Sequence, residues 1–125
     1  MDLEGYLHGD CHIFAQALHE VFGYKIKLAI DEYDIELEEP VLVHAFCYEG
    51  NAIVDARGVL PESETLEPFD YSEVVFQEVE NTDVDQMVED GFLHPADKGQ
   101  YEVVVAYIRL NKECFQLKTE DKRGE

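Results

Sequence analysis

From residue 11 onward apolar side chains recur at helical spacing. Phe14, Leu18, Val21 and Phe22 stand at i, i+4, i+7 and i+8 and make one stripe. Asp10 is an N-cap residue type and Gly23 suits the left-handed C′ position, so the pattern predicts a helix from Cys11 to Phe22. The period then changes to two. Lys25 to Ile30 alternates, with Ile26, Leu28 and Ile30 on one side, which predicts a strand with one buried face. Residues 31–39 predict a solvated loop ending at Pro40, although Tyr33, Ile35 and Leu37 also permit an edge strand. Residues 41–57 read as a β-hairpin stopped by Gly58 and Pro61. Alternation puts Val41, Val43, Ala45 and Cys47 on one face, and Leu42, His44, Phe46 and Tyr48 on the other.

Residues 61–72, with Pro61 and Pro68 among acids, predict a loop, and Val74 to Val79 a further strand. Asn81-Thr82-Asp83 caps a short helix bearing Val84, Met87 and Val88, ended by Gly91. Tyr101 to Leu110 holds four β-branched residues (Val103, Val104, Val105 and Ile108) and predicts a central strand. The charged stretch 118–125 predicts a frayed tail. The expected architecture is one α+β domain over 1–117, an N-terminal helix packed on a mainly antiparallel sheet.

Composition supports a folded globule: 46% of the 125 residues are hydrophobic, with 7 Tyr and 7 Phe. No apolar run approaches membrane-spanning length. The first residues lack a basic signal-peptide region, so a cytoplasmic location is expected. Three cysteines at irregular spacing predict neither a disulfide framework nor a structural zinc site, and no metal or organic cofactor is expected. The net charge of −20 is unevenly placed. Residues 31–40 and 61–90 together hold 17 acids and no Lys or Arg, whereas the last 25 residues are neutral. Such a field repels nucleic acid, so direct nucleic-acid binding is not expected. It suits a basic protein partner, mimicry of a phosphate backbone, simple solubility or high-salt adaptation.

The hairpin brings in candidate chemistry. With Glu49-Gly50 as a two-residue turn, Tyr48 faces Asn51 and His44 lies directly opposite Asp55. Directly opposed residues have Cβ atoms roughly 4.5–5.5 Å apart, close enough for an imidazole–carboxylate hydrogen bond. His44 shares its face with large apolar groups, where an unpartnered imidazole is costly and Asp55 is its natural partner. Cys11 occupies the first helical turn, where unpaired N–H groups and the helix dipole favour a thiolate. Asp10 and the anionic chain act the other way. Thiol, imidazole and orienting carboxylate are the parts of a cysteine nucleophile site. The competing reading makes Cys11 a small buried hydrophobe and His44 a satisfied sheet histidine.

Gly9-Asp10-Cys11-His12-Ile13-Phe14-Ala15-Gln16-Ala17-Leu18, with Val43-His44-Ala45-Phe46 and Ile53-Val54-Asp55, resembles the core of the papain-like superfamily. The nearest parallels are its compact transglutaminase-like and NlpC-like branches. The resemblance covers about residues 5–58. It implies a helix-start nucleophile, Cys11, with His44 as general base and acid and Asp55 as orienter. The implied activity is that of a thiol hydrolase or acyltransferase acting on an amide, isopeptide, peptide or thioester. Papain-like enzymes often place a Gln a few residues before the Cys as oxyanion donor. Here the candidates are Tyr6 and His8. A second expectation is an acidic binding or inhibitor protein on an inactive fold, engaging a basic partner. Arg57 shares a face with Asp55 and either pairs with an acid or holds a substrate carboxylate. Elsewhere, His12 and His19 are expected on the surface, Cys47 in the core, and His94 in a loop.

Overall fold

The helix stripe works because it has a sheet to cover. In the computed structural model, which describes residues 6, 10–34, 39–50, 52–61 and 74–116, helix α1 (Cys11–Phe22) buries Cys11, Phe14, Ala15 and Leu18. Gly23 ends it at φ +78°, its N–H donating to His19 O at 2.8 Å. Asp10 does not cap through its side chain. Its carbonyl accepts from Ile13 N and Phe14 N, while its carboxylate turns to His94 Nε2 at 2.6 Å and accepts from Gln100 Nε2 at 3.2 Å.

Five strands follow: β1 (Lys25–Asp34), β2 (Glu39–Glu49), β3 (Ala52–Asp55), β4 (Gly58–Pro61) and β5 (Val74–Val79). Their order is β4-β3-β2-β1-β5, and every neighbouring pair is antiparallel. The acidic stretch is therefore strand at both ends rather than a loop throughout: β1 runs on to Asp34 and β2 starts at Glu39. Gly58–Pro61, expected as a stop, forms β4, because the Ala56-Arg57 turn brings Gly58 opposite Asp55. Most of the expected loop 61–72 and the tail 118–125 lie outside the described residues.

Register departs from expectation at two places. Cys47 pairs with Val54, Tyr48 with Ile53 and Glu49 with Ala52, so the turn follows Glu49 and begins at Gly50, one residue later than the expected Glu49-Gly50. Gly50 supplies φ +63°, the left-handed conformation that a primed hairpin turn requires at its first central position. Carried one residue past its last pair, Cys47–Val54, this register sets Asp55 toward Phe46, two residues from His44. The second departure is a bulge. Ala29 pairs with His44 but Ile30 pairs with Leu42, leaving Val43 as the extra residue. Strict alternation fails there: Leu42 packs with Ala45 and Cys47, and Val43 with Phe46 and Tyr48.

Helices α2 (Asn81–Glu89), α3 (Gln100–Leu110) and α4 (Lys112–Phe115) complete the described chain. Glu80, not Asn81, holds the N-cap position of α2, and its N–H donates to Asp83 Oδ2 at 2.8 Å. The segment 101–110 is a helix, not a central strand. Tyr101, Val104, Val105 and Ile108 recur at i, i+3, i+4 and i+7, with Val104 and Ile108 fully buried, while Val103 and Leu110 are 57% and 84% exposed. Packing against α1 outweighs the modest helix penalty of β-branched residues. The main core joins α1, the Ile26/Leu28/Ile30 face of β1, Ala45, Cys47 and Val54, and the inner sides of α2, α3 and α4. Each fully buried Leu, Ile, Val or Phe there contributes about 1.5–3 kcal/mol. A smaller cluster of Ala29, Phe46 and Ile53 lies apart from it.

Candidate thiol site

Cys11 and the His44–Asp55 pair each engage β2 near the point where it outruns its partner strand. The ladder between β2 and β3 ends at Cys47–Val54. Two residues further along β2, the N–H of Ala45 donates to Cys11 Sγ at 3.2 Å. The thiol at the start of α1 thus rests against the peptide group joining His44 to Ala45. His44 Nε2 lies 3.0 Å from Asp55 Oδ2, and its ring stacks on Phe46 with centroids 5.6 Å apart. The expected His44–Asp55 contact forms, but diagonally across the ladder rather than between directly opposed residues. Cross-strand neighbours at that offset remain within reach of long side chains.

All three groups are buried: Cys11 is 1% exposed, His44 0% and Asp55 3%. Arg57 clamps Asp55 through Nη2 to Oδ2 at 2.7 Å, Nε to Oδ1 at 3.2 Å and its own N–H to Oδ1 at 2.9 Å. Of its two expected roles, Arg57 is engaged in the ion pair. It sits in the turn after β3, not on the strand. Burial alone would raise the Asp55 pKa, but the bonds from His44 and Arg57 outweigh it and hold the carboxyl at about 2. Asp55 is therefore a fixed anion that orients His44 through Nε2.

Cys11 is in the opposite condition. Burial pushes its thiol up to about 12. The backbone N–H groups of Ala45, Cys11 and His12 act in the lowering sense, and Asp10 adds to the rise. Favourable helix-start donors are present, but desolvation of the thiolate dominates. The resting sulfur is a protonated thiol within a nest of backbone donors.

The expected oxyanion side chains fare differently. Tyr6 is buried against Phe14, with ring centroids 5.5 Å apart, and its hydroxyl accepts from Gln100 Nε2 at 3.2 Å, so it is committed to the α1–α3 contact. His8 lies outside the described residues. Sequence reasoning missed the donor that does reach the sulfur, Ala45 N–H, because a backbone donor leaves no residue-type signal. Cys47 is core as expected, its Sγ donating to Ala15 O at 3.2 Å, and Cys114 is an exposed free thiol. His12, expected on the surface, is 1% exposed because the segment around His94 covers it; its Nε2 donates to His94 O at 2.9 Å. His19, also expected to be solvated, is half-buried, with Nδ1 2.8 Å from Tyr24 O.

No family model matches this chain, and no curated protein or solved structure matches it. Among the described residues no cluster of three or more His, Cys, Asp or Glu is arranged to hold a metal ion, and no helix is long and apolar enough to cross a membrane.

Proposed function

We propose that this protein is a thiol hydrolase or acyltransferase of papain-like design, acting on an amide, isopeptide, peptide or thioester carbonyl. The observation that carries this reading is one arrangement. Cys11 Sγ is held at 3.2 Å by the N–H next to His44, while His44 is held at 3.0 Å by an ionised Asp55. A helix-start thiol held by the backbone next to a strand histidine, which is itself oriented by a carboxylate on the next strand, supports the roles of nucleophile, base and orienter.

Because the thiol is protonated at rest, proton transfer has to accompany attack. Cys11 Sγ forms its bond to the carbonyl carbon as its proton passes to His44, through Nδ1, since Nε2 is turned to Asp55. The resulting oxyanion finds donors among the N–H groups of Ala45, Cys11 and His12. Breaking the carbonyl–leaving-group bond returns the proton from His44 to the departing amine or thiol, leaving an acyl-enzyme. Water or an amine then attacks, gives its proton to His44, and releases the sulfur as the thiol. At 1% exposure, Cys11 has to be uncovered by substrate before this can begin. A reducing cytoplasm suits a chain with three free cysteines.

The test uses a Cys114→Ser background and a panel of thioesters and activated esters, read by intact-mass spectrometry and peptide mapping. Acylation at Cys11 that slows about 10²-fold or more in His44→Gln supports the reading. Acylation absent, placed on Cys47, or indifferent to His44→Gln would overturn it.

A further inference from the structure

The two edges of the sheet, β4 and β5, differ in how they are guarded. An edge strand turns half of its backbone N–H and C=O groups away from the sheet, and natural sheets blunt such edges with Lys, Pro, bulges or cover. β4 is short, ends in Pro61, which has no N–H to offer, and lies against α4, where a Cβ at Gly58 would meet Cys114 O at 3.0 Å. β5 carries none of these devices. It pairs with β1 from Val74 to Val79 without a register shift, and it contains no Pro, Lys or Arg.

Exposure adds an independent observation. Val75, Phe76, Gln77 and Glu78 are exposed in succession, so both faces of β5 are open to solvent, Val75 by 41% and Phe76 by 45%. These two apolar residues continue both buried layers of the sheet. Val75 pairs with Ile30 of the main core, and Phe76 with Ala29 of the smaller cluster, its ring edge-on to Phe46 with centroids 6.4 Å apart. A further strand laid on β5 would extend both layers and take up the outward backbone groups. Charge decides whose strand it is. The charged residue of β5 is Glu78, residues 61–90 hold eleven acids and no Lys or Arg, and the chain carries −20. Pairing β5 with a second copy of itself sets two such fields against each other, whereas a basic segment meets its complement.

We infer that β5 is a docking edge for an extended basic segment of another protein, which adds to the sheet as a further strand. Its adjacent apolar residues lie beside Val75 and Phe76, and a Lys or Arg lies opposite Glu78. This inference does not depend on catalysis at Cys11.

The ¹H–¹⁵N spectrum of the full chain is titrated with a short peptide in which an adjacent Phe-Val pair is flanked by lysines. Saturable binding with a dissociation constant of about 1 mM or below is expected, with slowed amide exchange at alternate residues of β5. Replacing the lysines by glutamates should weaken binding at least about tenfold. Two further analogues are N-methylated at one or the other set of alternate residues. Only one set of N–H groups faces β5, so one of the two should bind at least about tenfold more weakly than the parent peptide. In the protein, Val75→Lys should weaken binding about tenfold by guarding the edge, and Val103→Lys, at a more exposed position on α3, should not. The peptide comparisons on the unaltered chain decide the question even where a variant folds poorly. Any of four results would overturn the inference: no saturable binding, equal binding of the glutamate peptide or of both methylated peptides, equal weakening by Val103→Lys, or self-association in sedimentation that protects β5 without peptide and so makes a second copy the occupant.

Discussion

Asp55 is the residue whose removal tests the site most directly. Its carboxyl is 3% exposed and moved from 3.8 to about 2 by His44 and Arg57 against the opposing effect of burial. A group so buried needs no discount for solvent screening. A pKa lowered by that amount contributes about 2 kcal/mol to stability at neutral pH. The sign follows from the direction: a depressed carboxyl contributes fully above its unfolded value and loses the contribution as pH falls through its folded value. The window is therefore pH 5 down to pH 2. Urea denaturation of the wild type and Asp55→Asn across that window gives the stability gap at each pH, and the other carboxylates, shared by both proteins, cancel in the difference. The gap should be widest near pH 5, where Asn leaves Arg57 and His44 without their anion, and should narrow by about 2 kcal/mol by pH 2. A gap constant to within about 0.5 kcal/mol would refute the reasoning, because Asp55 would then not be the anchored anion that orients His44.

Thiol labelling of the native protein should proceed first at exposed Cys114, with Cys11 and Cys47 at least tenfold slower, and raising pH to about 9 should not close the difference while Cys11 stays protonated; mass mapping of partially labelled protein checks it, and equal rates would count against the buried thiol. For α3, Ile108→Ala should cost about 2–4 kcal/mol and Leu110→Ala less than about 0.5, a contrast that thermal or urea unfolding resolves. Gly58→Ala should destabilise by more than about 1 kcal/mol and more than Gly23→Ala, since a Cβ at Gly58 meets Cys114 O at 3.0 Å whereas Gly23 faces open space; equal effects would mean that only the positive φ matters.

Much of this fold was legible because local and global demands agree. The stripe Phe14, Leu18, Val21, Phe22 and the alternation from Ile26 to Ile30 each describe a face that is buried as expected, fully or in part. Residues 101–110 show the converse. The run reads as a strand by composition, yet its buried residues, Val104 and Ile108, are four apart and its flanking Val103 is exposed, the period of a helix. There the period, not the propensity, decides the element. The hairpin turn begins at Gly50 rather than at Glu49, a difference of where the positive φ of Gly50 falls in the turn. A two-residue shift preserves facing, so the Asp55 contact survived the error. His12 was not legible at all. Its burial depends on the segment around His94, more than 80 positions away, and no local pattern announces such cover.

The early end of β3 and the candidate site share one cause. Had β3 continued along β2 past Asp55, the N–H of Ala45 would face a strand instead of a sulfur. The Ala56-Arg57 turn ends β3 at Asp55 and leads directly into β4. That single turn does three things: it frees the edge of β2 for Cys11, brings Arg57 back onto Asp55, and leaves Asp55 at a strand end, diagonal to His44. The bulge at Val43 adds a fourth, since His44 is the first residue after it and a bulge re-aims the side chain beside it. A sheet built only for stability would have kept those ladder bonds, each contributing about 1 kcal/mol. Here their place is taken by a backbone-to-thiol contact and a buried imidazole–carboxylate pair clamped by the half-buried Arg57. The bulge beside His44 and the turn that ends β3 both fall at the residues proposed to share a task, and that coincidence supports the proposal.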